Sequence, residues 1–82
     1  MAQVVVIFKV YPKDGEFDNV MNALQSKLSP KGMQSEDVGF GIKLIKVMFT
    51  FDDSQTSSAK FEEHIRAIDG VSEVEVQEES LV

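Results

Sequence analysis

The stretch EDVGFGIKLIKVMFTF, residues Glu36 to Phe51, holds the clearest structural signal in the chain. From Ile42 to Phe51 it reads as one long strand. Ile45, Val47, Phe49 and Phe51 fall on one face, while Lys46 and Thr50 fall on the other, the period of two that a pleated backbone imposes. Just before it stands Phe40 between Gly39 and Gly41. A phenylalanine packed into a core needs no glycine on either side. Two glycines let the backbone turn sharply without a Cβ penalty and let another surface come close. Local pattern alone leaves two readings open. Phe40 either folds back over the edge of the core at a hairpin, or stands out at a corner as an anchor for a protein partner.

Working outward, residues 33–38 are short and polar and read as an edge strand. Val4 to Tyr11 (VVVIFKVY) is β-branched and aromatic and is stopped by Pro12, so it reads as a central strand with both faces largely buried. Lys13-Asp14-Gly15 is a turn signal. Phe17, Val20, Met21, Leu24 and Leu28 recur at helical spacing and give one apolar stripe. Ser29-Pro30-Lys31-Gly32 ends that helix, because a residue before proline leaves helical geometry and Gly32 helps the chain turn. Residues 52–58 form a polar loop whose serines are placed to cap a second helix. That helix turns Phe61, Ile65 and Ile68 inward and closes at Asp69-Gly70. In residues 71–76, valines alternate with Ser72, Glu73 and Glu75, the pattern of a strand with one acidic face.

The order is βαββαβ, which predicts a single domain over residues 1–82 in the α+β class. Its architecture is the ferredoxin-like split βαβ arrangement: a four-stranded antiparallel sheet with two helices on one face. The other face is left open. Lys9 and Lys46 are expected there, opposite Glu73 and Glu75, in solvated cross-strand pairs of ~1 kcal/mol or less each.

With 82 residues the core is small, since a fold of this size buries only about 60% of its unfolded surface. There are no cysteines, so disulfides and thiolate metal sites are excluded. The longest apolar run, Val4 to Phe8, is far short of the ~20 residues that span a bilayer. The start, MAQVVVIFKVYP, lacks the basic region and small-residue cleavage site of a secretory signal. A cytoplasmic location is the default expectation. Fourteen acidic and eight basic residues give a net charge of −6, the wrong sign for a surface that grips phosphate backbones. A protein partner or a small ligand is expected instead.

Fold alone does not give function, so each chemistry has to be tried against the residues. Metal chaperones of this shape use a Cys-x-x-Cys loop, which is absent. RNA-recognition domains display aromatic residues in a basic setting, but Phe8 falls on the face opposite Lys9 and Tyr11. Acylphosphatases need an arginine in a phosphate-cradling loop, whereas the sole arginine, Arg66, lies in the second helix. GxxxxGK[ST] loops are missing. A lone histidine, His64, makes no zinc site without other strong ligands. Asp52-Asp53 reads as a solvated turn rather than a cation site. No nucleophile, base and orienting group occur together, so no covalent catalysis, metal or cofactor is expected.

At this point the residues carry a resemblance. Val38-Gly39-Phe40-Gly41-Ile42-Lys43, preceded by Asp37, resembles the signature hexapeptide of the elongation factor 1-beta guanine nucleotide exchange domain. Phe8-Lys9-Val10-Tyr11-Pro12 is similar to the opening strand of the archaeal form. Glu62-Glu63-His64-Ile65 and the run from Ile68 to Val76 resemble its second helix and closing strand. The resemblance implies a ferredoxin-like fold and a role in speeding GDP release from the GTPase elongation factor 1-alpha. It also implies that Phe40 contacts that GTPase, with Gly39, Gly41 and Lys43 as its setting. The eukaryotic relatives carry a lysine close to the carboxyl end, thought to disturb the GTPase's magnesium site. Residues 77–82 hold no lysine, so either another group substitutes, with Lys43, expected beside the Phe40 ring, as the candidate, or nucleotide release is driven by pushing on the GTPase's backbone. The resemblance also implies a monomer when alone, and the acidic net charge predicts no direct contact with nucleic acid. A rival from another class is a small-molecule-binding regulatory module of the same fold, dimeric through its open sheet face. A third reading is an adaptor that binds without speeding nucleotide release.

Overall fold

The architecture is organised by the pairing of β1 (Gln3–Pro12) with β3 (Ile42–Asp52), which runs antiparallel from Gln3 opposite Asp52 to Val10 opposite Ile45. In the computed structural model, which describes residues 2–81, these two strands lie at the centre of the sheet. β2 (Gly32–Gly39) flanks β3, and β4 (Val71–Leu81) flanks β1, giving the order β2-β3-β1-β4 with every pair antiparallel. The connections are α1 (Phe17–Leu28) and α2 (Ser58–Arg66). Each helix carries the chain across one intervening strand, which makes this the ferredoxin-like split βαβ fold.

Alternation decides the core. Val4, Val6, Phe8 and Val10 of β1 and Ile45, Val47, Phe49 and Phe51 of β3 are all buried on one face. Val20 and Leu24 of α1 and Ile65 of α2 close over them. Phe61 of α2 stacks on Phe49 at 4.6 Å and lies 5.4 Å from Phe51, while Phe8 meets Phe49 edge-on at 6.1 Å. Aromatic contacts of this kind add about 0.5–1.5 kcal/mol each beyond area burial, so they fix the seat of the shorter helix. β1 is central as expected, but its second face is less covered than its sequence suggests: Val5, Ile7 and Lys9 are only half-buried. Leu44, in step with Lys46 on the face away from the helices, is buried there.

Several local expectations need correction. The last strand does not stop at Val76 but continues to Leu81. A bulge between its pairings with Ile7 and Phe8 leaves Gln77 without a partner. The valine alternation ends where the bulge begins, yet β1 still offers Val4 to Ile7 for pairing, and the backbone takes those bonds with acidic side chains outward. Gly32 does not make the turn after α1. Ser29 adopts the left-handed conformation itself, at φ 47°, and Gly32 already belongs to β2 against Met48. Ser57 sits at the N-cap of α2 without a side-chain capping bond.

The ionic pairing is also rearranged. Lys9 and Lys46 face each other across β1 and β3 on the open side, but Lys46 binds Glu36 at 3.3 Å rather than an acid of β4. Glu75 lies opposite Lys9 in register and accepts a hydrogen bond from the Tyr11 hydroxyl at 3.2 Å. Glu73 turns to Arg66, at 2.7 Å. Arg66 also reaches Glu62 at 3.3 Å and donates to the Val74 carbonyl at 3.1 Å, so one guanidinium ties the end of α2 to the start of β4. The sole arginine therefore has a structural use.

Backbone donation from Val74, and then the Arg66 guanidinium, hold the Glu73 carboxyl below its ordinary value of 4.5. A group whose folded pKa is depressed contributes stability above its unfolded pKa and loses it as pH falls through the folded value. Arg66→Ala is expected to lower the melting temperature at neutral pH. The difference from the native chain should narrow as the pH is taken below 4.5. Thermal unfolding followed by circular dichroism across that range checks both points.

Candidate functional site: the tip of the β2–β3 hairpin

Gly39 and Ile42 are the last paired residues of β2 and β3, so Phe40 and Gly41 alone form the connection. Their φ angles are 58° and 75°. Positive φ at both central residues is the mark of a type I′ turn, the two-residue loop whose twist suits a hairpin. Gly39 is also left-handed, at φ 94°. Its N–H donates to Asp37 Oδ1 at 2.9 Å, and a bulge sets Val38 out of the ladder. Three successive left-handed residues are what the Gly-Phe-Gly run provides for.

Phe40 does not fold back over the core. Its relative exposure is 102%, and beside it Val38 and Ile42 stand 48% and 51% exposed. Among the described residues, three of the five exposed large hydrophobic side chains lie in this one turn. The reason is geometric. β1 pairs with β3 only as far as Ile45, so the three residues from Ile45 back to Ile42 carry the tip about 10 Å past the last β1 pairing. The start of α1 reaches that overhang only at Lys43, through Phe17, and leaves Phe40 uncovered.

The left-handed region suits asparagine or glycine at such a turn and costs other residues roughly 1–2 kcal/mol. Phenylalanine there gains nothing in return from packing, since its ring touches no other part of the chain closely enough to be covered. Strained and exposed apolar residues gather where a structure serves binding.

Lys43 departs from expectation. It is exposed, but its ammonium lies over the Phe17 ring at 5.5 Å from the centroid instead of against Phe40. Phe17, the first residue of α1, was legible only as a core position. Lys13, Asp14, Gly15, Phe17, Gly41 and Lys43 border a notch between the β1–α1 loop and the start of β3. Sequence reasoning also passed over Asp37 as the residue that locks the turn. Elsewhere, His64 is exposed on α2. Asp52 accepts from the Ser54 N–H and hydroxyl at 2.9 and 2.8 Å in a local turn that lowers its pKa. Among the described residues no group of three or more His, Cys, Asp or Glu is placed to hold a metal ion, and no helix is long and apolar enough to cross a membrane.

The fold is a paired sheet that presents one apolar corner at a hairpin tip. Comparison with known proteins places it in a family. Residues 5–82 match the family described as the EF-1 guanine nucleotide exchange domain, and the chain belongs to that family. Over 88 residues it is 31% identical to elongation factor 1-beta of Thermoplasma acidophilum, with all of both chains covered. It is 34% identical to that of Aeropyrum pernix, covering 94% of this chain and 93% of the relative. For Methanosphaerula palustris the identity is 33%, with 99% of each covered. Its role is that of a guanine nucleotide exchange factor in translation elongation, which sets aside the regulatory-module reading.

If Phe40 is held in strain at no benefit to the fold, then Phe40→Asn, which suits the first position of a type I′ turn before Gly41, should raise stability by about 0.5–1 kcal/mol. Gly41→Ala should lower it by about 1–2 kcal/mol. Urea denaturation of the two variants beside the native chain measures both.

Proposed function

We propose that this chain promotes exchange of GDP for GTP on elongation factor 1-alpha by gripping the nucleotide-free GTPase through the tip of the β2–β3 hairpin. In this reading Phe40 is the anchor, Gly39 and Gly41 give the turn its shape, and Lys43 lies at its flank. The observation that carries it is the fully exposed, left-handed Phe40. Val38 and Ile42 supply an apolar apron around the ring, and the paired strands behind it keep the tip from yielding on contact.

The thermodynamics of such a factor follow from linkage. GDP and the factor both bind the GTPase, and each weakens the other by the same ratio. The factor therefore binds the nucleotide-free conformation more tightly than the GDP-bound one. A tenfold drop in GDP affinity requires about 1.4 kcal/mol of that difference. One aromatic side chain desolvated at an interface supplies it, since such anchors contribute ~2 kcal/mol or more. No bond of the nucleotide is made or broken, so the chain acts by binding and not as an enzyme of covalent chemistry. The same reading has residues 1–82 acting as one unit, monomeric when alone, in the cytoplasm and without direct contact to nucleic acid. The net charge of −6 supports the last point.

Release of a fluorescent GDP from the cognate elongation factor 1-alpha tests the proposal. The native chain should speed release. Phe40→Ala should lose about 30-fold of that effect while remaining folded, the equivalent of a ~2 kcal/mol anchor. Equal acceleration by both would remove Phe40 from the contact, and none by the native chain would refute the exchange role for this protein.

A further inference from the structure

We infer that the notch between the β1–α1 loop and the start of β3 is a second contact point for the GTPase, where Lys43 and Lys13 receive an aspartate or glutamate side chain of that partner. Phe17 acts there as the residue that positions Lys43. The inference rests on the exchange reading above and adds a residue set and a ligand chemistry to it.

Lys43 has an obvious intramolecular partner that it does not use. Asp37 lies directly opposite it in the β2–β3 register, where opposite charges ordinarily pair. Asp37 Oδ1 accepts from the Gly39 N–H, which holds the carboxylate toward the turn, and Asp37 and Lys43 form no ion pair. Ion pairs among the described residues join Lys46 to Glu36 and Arg66 to Glu62 and Glu73; none includes Lys43 or Lys13. The Phe17 ring attracts the ammonium through its π face. It offers no lone pair, so the three N–H donors of Lys43 remain available to an acceptor. Ring and register thus hold a cation ready beside the Phe40 turn.

The facing wall is firm. The Lys13 N–H donates to the Gly70 carbonyl at 2.6 Å, and the Lys13 carbonyl accepts from Glu16 N–H at 2.9 Å. That second bond closes a turn in which Gly15 takes the left-handed third position at φ 79°. Between the walls lies a space of about 260 Å³, roomy enough for one carboxylate side chain and water. Asp14 also borders it, and Asp37 stands across the ladder from Lys43, so the lining residues themselves carry two cations and one anion on a chain of net charge −6. Two ammonium-bearing side chains on one notch favour a carboxylate that bridges them. The acidic surface around it disfavours the larger charge of a phosphate backbone.

The test is GDP-release acceleration by the full chain, measured as a second-order rate across a salt titration. Lys43→Gln should slow it about threefold or more at low salt and flatten its salt dependence, the signature of a lost intermolecular charge contact. Lys43→Arg should behave as native. Phe17→Leu, which keeps an apolar side chain but no ring, should show part of the Lys43→Gln defect and add nothing to it in the double variant. Phe17→Tyr should restore the native rate. An unchanged rate and salt slope in Lys43→Gln would overturn the proposal while leaving the exchange function intact. So would a Phe17→Leu defect that simply adds to that of Lys43→Gln, because that is the behaviour of a core position. Retention of a short RNA oligonucleotide that depends on Lys43 would overturn it in favour of phosphate. No acceleration by the native chain at any salt would instead refute the exchange reading beneath it.

Discussion

Everything at the hairpin tip depends on where the pairing of β1 with β3 stops. Because a strand's side chains alternate, Val10 and Ile45 can be the last matched pair on the buried face only if the rest of β3 runs on alone with β2. A slip of one residue would turn every buried valine and phenylalanine of β3 to solvent. The core therefore sets the register, and the register sets how far the β2–β3 hairpin projects. Phe40 is exposed because hydrophobic packing some 10 Å away leaves it no surface to cover.

The same arrangement separates stability from recognition. Aromatic packing between α2 and β3 lies back along β3 from the hairpin tip, and the Arg66 clamp joins α2 to β4, with β1 between it and the hairpin. The tip contributes no buried side chain of its own. It holds a phenylalanine in a conformation that suits asparagine, between two glycines that carry the flanking positive φ angles. Strained, exposed residues of this kind cluster at functional sites. On the proposed reading, what offsets the strain is the extra affinity for the nucleotide-free partner.

Element order, helix count and the helix-facing side of β1, β3, β4 and both helices were legible in the sequence, because period-two and helical spacing report burial directly, whereas short, polar β2 showed no face to read. Phe49 and Ile65 could hardly have been placed otherwise. Features set by pairing rather than burial were not. The extension of β4 past Gln77 carries no alternation to read, and the partners of Lys46 and Glu73 depend on which strand or helix end lies nearest in space. At the tip, the glycines around Phe40 announced a turn, and the resemblance to the exchange domain pointed to its use. The direction of Lys43 was not legible, since Asp37 stands opposite it in register and only the folded turn shows the carboxylate bonded to Gly39 and the ammonium over Phe17.

The central claim is that Phe40 distinguishes the nucleotide-free GTPase from the GDP-bound one. The most direct measurement is the dissociation constant of the chain for each form of elongation factor 1-alpha, by titration calorimetry, with native protein and Phe40→Ala. The account predicts that native protein prefers the nucleotide-free form at least tenfold, equivalent to about 1.4 kcal/mol, and that the preference collapses toward unity in the variant. An undiminished preference in Phe40→Ala, with both affinities merely lower, would contradict it.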